Sequence, residues 1–261
     1  MFKVSWALVA YGAIWPPAYS AHIRAVAFAS RTLEVEDLGI ISAAGATDRL
    51  YTHSAENECV REFLESDATH LFLTEQDMLL PKHAIPALLE LRKPVASGLY
   101  FLRKGRGQPC LYAKTVTLPS NPYPHAPVTL FPLDRPFGQL GLCPGLGCVL
   151  IERRVFEAVP EPWFDLAEGK YGSDMYFYTK VKDAGFEVWM HPGVCCDQID
   201  YEIVTIEMYR KRVREDPAWA ASGFVLGDAP TGLTIKQITA GKMQMRVEEA
   251  REIVRADGGG A

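Results

Sequence analysis

The chain has 261 residues, 48% of them hydrophobic, and a formal net charge of -5. That is enough apolar material for one large core and excludes a disordered or fibrous polypeptide. The acidic balance offers no global attraction to nucleic acid or to an anionic membrane, although local basic runs occur at Arg103 to Arg106 and Arg210 to Arg214.

Phe2 to Ala10 reads as a first buried strand, broken at Tyr11-Gly12 and kept from further pairing by Pro16-Pro17. Ala18 to Thr32 is expected to be helical, with Ile23, Val26 and Ala27 on its inner face. A short second strand follows at Leu38 to Ser42, ended by Ala43-Ala44-Gly45. Ser54 to Ser66 reads as a helix capped by Ser54, with Val60, Phe63 and Leu64 turned inward.

His70 to Leu73 is an apolar run that reads as a buried strand ending on Glu75 and Asp77. Residues i and i+2 of an extended segment point to one side, so the two carboxylates can aim at one point. Such a pair at the carboxyl end of a buried strand suits a divalent cation that in turn holds a diphosphate. A solvated strand end is the alternative. Pro81 to Leu91 is expected as a short helix and Pro94 to Phe101 as a further strand.

Residues 108 to 140 hold seven prolines and little periodicity, which suggests a long loop or an irregular hairpin excursion. Order returns at Pro144 to Ile151, a glycine turn feeding a buried strand, and Glu152 to Ala158 makes a short helix. Ser173 to Ala184 reads as a helix with Asp174 in its first turn and Met175, Phe177, Tyr178 and Val181 inside; Phe186 to Met190 is the last strand. Charged helices follow over Glu202 to Glu215 and within Thr234 to Ala256, and the last five residues look frayed.

Alternating strands and helices predict an α/β fold with a mainly parallel sheet covered on both faces, and ligands of such sheets lie outside the carboxyl ends of the strands. No G-x-G-x-x-G or G-x-x-x-x-G-K-[ST] run occurs, which speaks against a dinucleotide enzyme or a P-loop ATPase. The six cysteines form no C-x-x-C pair and no zinc spacing, so reduced thiols in a cytoplasmic protein are expected. Met1 to Tyr19 lacks the pattern of a secretory leader, and no run of about 18 apolar residues predicts a membrane span.

Four segments carry a resemblance in their order and spacing: the helix around Ala55-Glu56-Asn57, Thr69 to Met78, Pro144 to Glu157, and Tyr171 to Trp189. Together they resemble nucleotide-sugar-dependent glycosyltransferases of the GT-A fold, in particular the family-two-like proteins of bacteria and phages. The resemblance implies a GT-A (Rossmann-like) mixed, mainly parallel sheet flanked by helices over residues 1–200. Residues 201–261 are then a C-terminal helical extension that packs on this domain or mediates self-association, a homo-oligomer being one outcome.

The resemblance further implies a divalent cation, Mn2+ or Mg2+, bridging the diphosphate of a UDP- or GDP-sugar. The acidic motif maps onto Glu75 and Asp77, and Asp174 matches the aspartate that serves inverting members as general base. A helix-start acid that complements the dipole is the alternative reading of Asp174. Gly145 and Gly147 match the turn where acceptor and donor sugar approach, against a simple tight strand entry.

Two departures stand out. Ser173 replaces the glutamate that usually precedes the aspartate, and Cys195-Cys196-Asp197-Gln198 stands where many relatives carry a metal-ligating histidine, leaving Asp197 and Gln198 as substitute oxygen ligands. Tyr11, Gly12, Asp48, Arg49, Asn57 and Arg103 are donor-binding candidates, each against a packing, capping or surface role. Trp163 and Tyr171 are candidates for an acceptor platform, with core packing the alternative for Trp163. The expected acceptor is a saccharide hydroxyl or a hydroxymethylated base in phage DNA. The rival functions are a non-catalytic sugar-nucleotide-binding pseudo-enzyme and, ranked lower, a nucleotidyltransferase.

Overall fold

The computed structural model describes residues 2–10, 12–42, 52–103, 107–114, 125–166, 172–200 and 203–226. The first half runs β1 (Lys3–Ala10), α1 (Pro16–Ala29), β2 (Glu34–Ser42), α2 (Thr52–Glu65), β3 (His70–Glu75), β4 (Met78–Leu79), α3 (Ala84–Glu90) and β5 (Val95–Leu99). It continues through β6 (Leu111–Lys114), β7 (His125–Leu130), β8 (Phe137–Gln139), β9 (Leu142–Pro144), β10 (Cys148–Glu152), α4 (Arg153–Ala158), α5 (Ser173–Asp183) and β11 (Val188–Cys195). The described chain closes with β12 (Asp197–Ile199), β13 (Ile203–Val204), α6 (Ile206–Glu215), α7 (Pro217–Ser222) and β14 (Phe224–Val225).

The central sheet has seven strands in the order β2-β1-β3-β10-β5-β11-β8. β2, β1 and β3 are parallel neighbours, β10 is antiparallel to both β3 and β5, and β11 is parallel to β5. Five strands therefore share one direction, with β10 and the edge strand β8 opposed. The expected mixed, mainly parallel sheet between helices is what the chain adopts.

Period-two alternation divides the interior into two cores. Ala7 and Val9, Leu71 and Leu73, and Val149 and Ile151 face one cluster with Phe63, Phe156, Phe164 and Phe177. Their strand neighbours Trp6 and Leu8, Phe72, and Cys148 and Leu150 face the other, with Ile85 and Leu88. Because both faces are covered, Val4 to Ala10 is buried throughout, which is why β1 reads as a continuous apolar run.

The expected inner face of α1 is corrected in part: Val26 packs against the second core as expected, while Ile23 and Ala27 are exposed. Ile23 is 42% exposed, and the buried positions are Ala18, Ala21, His22, Ala25 and Ala29. Small residues let the helix approach the sheet closely. His22 is kept inside by hydrogen bonds to Ala18 O (2.7 Å) and Thr74 Oγ1 (3.1 Å) and by stacking near Trp6. β11 also runs beyond the expected Met190, because Pro192 falls in a register shift between His191 and Cys195, where no ladder donor is required.

The proline-rich middle is more regular than its sequence suggests. β6 pairs antiparallel with β7 and β9, and β14 adds to β7, giving a four-stranded sheet in the order β14-β7-β6-β9. α6 packs beside it: Tyr209 stacks on Phe101 and Phe131 at 5.5 and 5.4 Å between ring centroids, and its hydroxyl donates to Thr129 O. Residues 203–226 are thus joined to the main core and include two short strands besides helices. The helices expected within Thr234 to Ala256 lie outside the described residues. No helix among the described residues is long and apolar enough to cross a membrane.

Candidate active site

The shared strand direction brings several loops to one edge. The carboxyl ends of β1, β3, β5 and β11 meet there, and the reversed β10 delivers its amino end, preceded by Gly145-Leu146-Gly147, to the same place. A cavity of about 280 Å³ opens at this edge. Its polar wall includes Glu56, Glu75, Arg103, Ser173, Asp174 and Gln198, and its apolar wall is formed by Tyr100, Leu102, Cys110 and Leu146.

Glu75 ends β3, and Asp77 sits in the turn to β4. That turn is tied to β1 by Gln76 N donating to Val9 O (3.0 Å), and to β12 by Ile199 N donating to Asp77 O (2.9 Å). β12 pairs antiparallel with β4, which brings Gln198 alongside Asp77. Gln198 Nε2 donates to Asp77 Oδ2 at 3.1 Å, and Arg103 Nη1 lies 3.2 Å from the same oxygen. Burial raises the Asp77 carboxyl above its usual range, with Arg103 and Gln198 pulling the other way.

Three further carboxylates line the cavity. Glu75 is pushed up to about 8, first by burial and then by the charges of Asp77 and Asp174, with Arg103 opposing. Glu56, on the inner face of α2, is also pushed up to about 8 by burial, while a Ser173 hydrogen bond opposes and Glu75 and Asp174 add to the rise. Asp174, in the first turn of α5, is raised by burial; Met175 N donates to its Oδ1 at 2.8 Å and works against the rise. A helix amino terminus favours the ionised form as well.

Among the described residues, three buried acceptors at this edge have no hydrogen-bond partner, Asp77 Oδ1, Gln198 Oε1 and Glu56 Oε2. Magnesium-like cations are usually held by one or two carboxylates while substrate phosphates and water complete the shell. Asp77 Oδ1, Glu75 and Gln198 Oε1 are hard oxygen donors of that kind and fit such an ion. Among the described residues no group of three or more His, Cys, Asp and Glu is placed to hold a metal ion, so an ion here would rest on fewer protein carboxylates.

The other sequence candidates divide clearly. Gly12 N donates to Gln76 Oε1 at 3.2 Å, so the loop after β1 touches the acidic turn through its backbone. Gly145 and Gly147 shape the wall. A Cβ on Gly145 would overlap the Tyr100 hydroxyl, and Gly147 N donates to that hydroxyl at 3.3 Å. Asp197 neighbours Gln198 on β12, and strand alternation turns it to the opposite side from the cavity.

Asn57 is committed elsewhere. Its Oδ1 accepts from Trp163 N (3.0 Å) and Phe164 N (3.2 Å), and its Nδ2 donates to His53 O and Phe164 O, both at 2.7 Å. Trp163 is 6% exposed, lies edge-on to Phe156 and donates through Nε1 to Phe156 O, so it is part of the core beneath the site. Tyr11, Asp48, Arg49 and Tyr171 lie outside the described residues.

Sequence reading missed Glu56 and Tyr100. A signal for the first exists: Glu56 stands at helical spacing with Cys59, Val60 and Phe63, an acid on an otherwise apolar face. Tyr100 carries no such signal, being one aromatic among many at a strand end.

No protein-family profile matches the chain, and no curated protein matches it. Among solved structures it is similar to the crystal structure of A197 from STIV, with a TM-score of 0.52 and 15% identity over 92% of this chain and 98% of that one. It also aligns with the crystal structure of GalNAc-T7 with UDP, GalNAc and Mn2+, at a TM-score of 0.45 and 11% identity, over 97% of this chain and 54% of that one. The likeness to A197 is one of fold, extending over nearly the whole of both chains.

Proposed function

We propose that this chain is a glycosyltransferase of the GT-A type, moving a sugar from a UDP- or GDP-sugar to a hydroxyl acceptor. One observation carries the reading. A buried aspartate with an open oxygen, Asp77, stands at the carboxyl end of a central strand, and Asp174 shares a cavity with its neighbours Glu75 and Arg103. That separation of roles is what transfer from a diphosphate donor requires.

Asp77 through Oδ1, Glu75 and the Gln198 Oε1 would hold a Mn2+ or Mg2+ ion, which when bound supplies positive charge against the departing nucleoside diphosphate. Arg103 is half-exposed beside Asp77 and can turn its guanidinium to a phosphate. Asp174, held by Met175 N, accepts the proton of the acceptor hydroxyl as that oxygen attacks the anomeric carbon. The carbon–oxygen bond to the diphosphate breaks as the new one forms, its electrons leave with the diphosphate, and a single displacement of this kind inverts the anomeric centre.

A saccharide is the preferred acceptor. The acidic lining repels a polyphosphate backbone, which ranks a hydroxymethylated DNA base second; retention of the protein on DNA at low salt would reverse that order. The second reading, binding of a sugar nucleotide without turnover, is favoured by the Arg103 and Gln198 contacts that already occupy Asp77 Oδ2. Donor consumption on incubation with acceptor mixtures separates the two.

The test is a thermal-shift screen of UDP-, GDP-, dTDP- and CDP-sugars, with and without Mn2+, on wild type and Asp77→Ala. A donor at about a hundredfold over its dissociation constant stabilises by roughly 2.7 kcal/mol. Stabilisation by one donor that depends on Mn2+ and vanishes in Asp77→Ala is the expected result, and a wild type indifferent to every donor would sink the reading.

A further inference from the structure

Glu56 is the strangest residue of the site. It belongs to a helix whose buried face is otherwise apolar or amide-bearing, it is 2% exposed, and it lines the cavity. A Ser173 hydroxyl hydrogen-bonds its carboxyl, yet among the described residues Oε2 has no partner. Buried carboxyl oxygens are almost always paired, so an unpaired one on a residue that lines the cavity marks a missing hydrogen-bond partner.

The location of that partner follows from the neighbours. Glu56 feels both Glu75, on the diphosphate side, and Asp174, on the attacking side. Neither leaving-group stabilisation nor proton acceptance uses it. In a transfer reaction the group lying between the diphosphate and the attacking hydroxyl is the sugar ring itself. A ring hydroxyl both donates and accepts, so it can satisfy a carboxyl oxygen in either protonation state.

We infer that Glu56 is a sugar-reading residue, its open Oε2 hydrogen-bonding one ring hydroxyl of the transferred sugar while Ser173 fixes the carboxyl in place. The inference rests on the glycosyltransferase reading and deepens it by naming what selects the sugar. Ser173, hydrogen-bonded to Glu56, is a positioning residue, and Glu56 contacts the substrate. A buried polar group that loses its matching hydroxyl discriminates strongly, because it is then left unpaired.

The experiment is calorimetric titration of wild type, Glu56→Ala, Glu56→Gln and Ser173→Ala with UDP, GDP, UDP-glucose, UDP-galactose, UDP-N-acetylgalactosamine and GDP-mannose, plus monodeoxy forms of the best donor. Expected is an affinity for the best donor about tenfold or more weaker in Glu56→Ala, with the parent nucleotide bound as in wild type. The preference for the parent sugar over one particular deoxy form disappears in the same variant. Glu56→Gln, which keeps a hydrogen-bonding group, recovers part of it, and Ser173→Ala shows a smaller loss of the same kind.

Equal losses for nucleotide and sugar nucleotide would make Glu56 a structural residue and overturn the inference, as would an unchanged deoxy preference. If Glu56→Ala does not fold, Glu56→Gln and Ser173→Ala decide by the same ratio, and no change in either overturns it. A wild type that binds neither nucleotides nor sugar nucleotides removes the glycosyltransferase reading itself, an outcome distinct from loss of Glu56 alone.

Discussion

The carboxyl edge of the sheet has two acidic sides that the protein treats differently. On one, Asp77 is engaged by Arg103 and Gln198, so a charge there is answered by a guanidinium and an amide. On the other, burial pushes Glu56 up to about 8, with the charges of Glu75 and Asp174 adding to the rise, and burial raises Asp174 as well. The first side is assembled to carry charge at rest. On the second, Glu56 is held toward its protonated form, which suits recognition of a neutral polyol, while Met175 N and the helix amino terminus favour the ionised Asp174 that accepts a proton.

Asp174→Asn breaks that comparison most severely. The amide keeps the shape and cannot take a proton, so kcat should fall by about 10²–10⁴-fold with donor KM little changed. Steady-state kinetics on the donor that emerges from the thermal screen reads this directly. A KM rise with kcat preserved would move Asp174 from the attacking side to the donor side.

Asn57→Ala tests the floor on which both sides stand. Trp163 N and Phe164 N lose their acceptor, and the chain segment under α5 loses its tie to α2. A loss of about 2–3 kcal/mol in urea denaturation is expected, from two buried donors left unpaired. Donor affinity at a temperature where the variant stays folded should be that of wild type. A selective loss of affinity would return Asn57 to the donor contacts.

The proton-holding side has a signature in stability. Glu56 ionises near 4.5 when unfolded and at about 8 when folded, so between those values the native state carries a proton that the unfolded state has lost. Stability therefore falls as pH rises through that window and levels off above it, at up to about 1.4 kcal/mol per pH unit for a single group. Glu56→Gln removes its share, and its stability curve from pH 5 to 8 should be flatter than that of wild type. Parallel curves would place the proton elsewhere in the cluster.

Much of the framework was legible before any coordinates. β1, β3 and β10 are apolar runs because they are covered on both faces, and the Glu75-Gln76-Asp77 terminus announces a polar edge. What escaped has physical causes. The inner face of α1 is made of alanines and a histidine, chosen for close approach, while hydropathy points to the exposed Ile23. The β6–β9 excursion consists of strands of three to six residues that pair only in tertiary context. Glu56 escaped because an acid in a helix is ordinarily solvated, and its position on the apolar face acquires meaning only once Ser173 and Asp174 arrive from more than a hundred residues away.

The smallest expected effect on stability is the most useful for separating the two sides. Arg103 has a half-exposed side chain and touches Asp77 through one nitrogen. A pair that open to water contributes about 0–1 kcal/mol, so Arg103→Ala should shift the melting temperature little. Its other consequence differs in kind. Arg103 opposes the rise of both Asp77 and Glu75, so its removal leaves the charged side as poorly compensated as its opposite. If its guanidinium turns to a phosphate, donor affinity should drop about tenfold while the preference among sugars, governed from the Glu56 side, stays as it was. A variant that loses sugar preference along with affinity would mean that the two sides are one site in which charge and recognition are not divided, and the contrast between Asp77 and its opposing carboxylates would have to be given up.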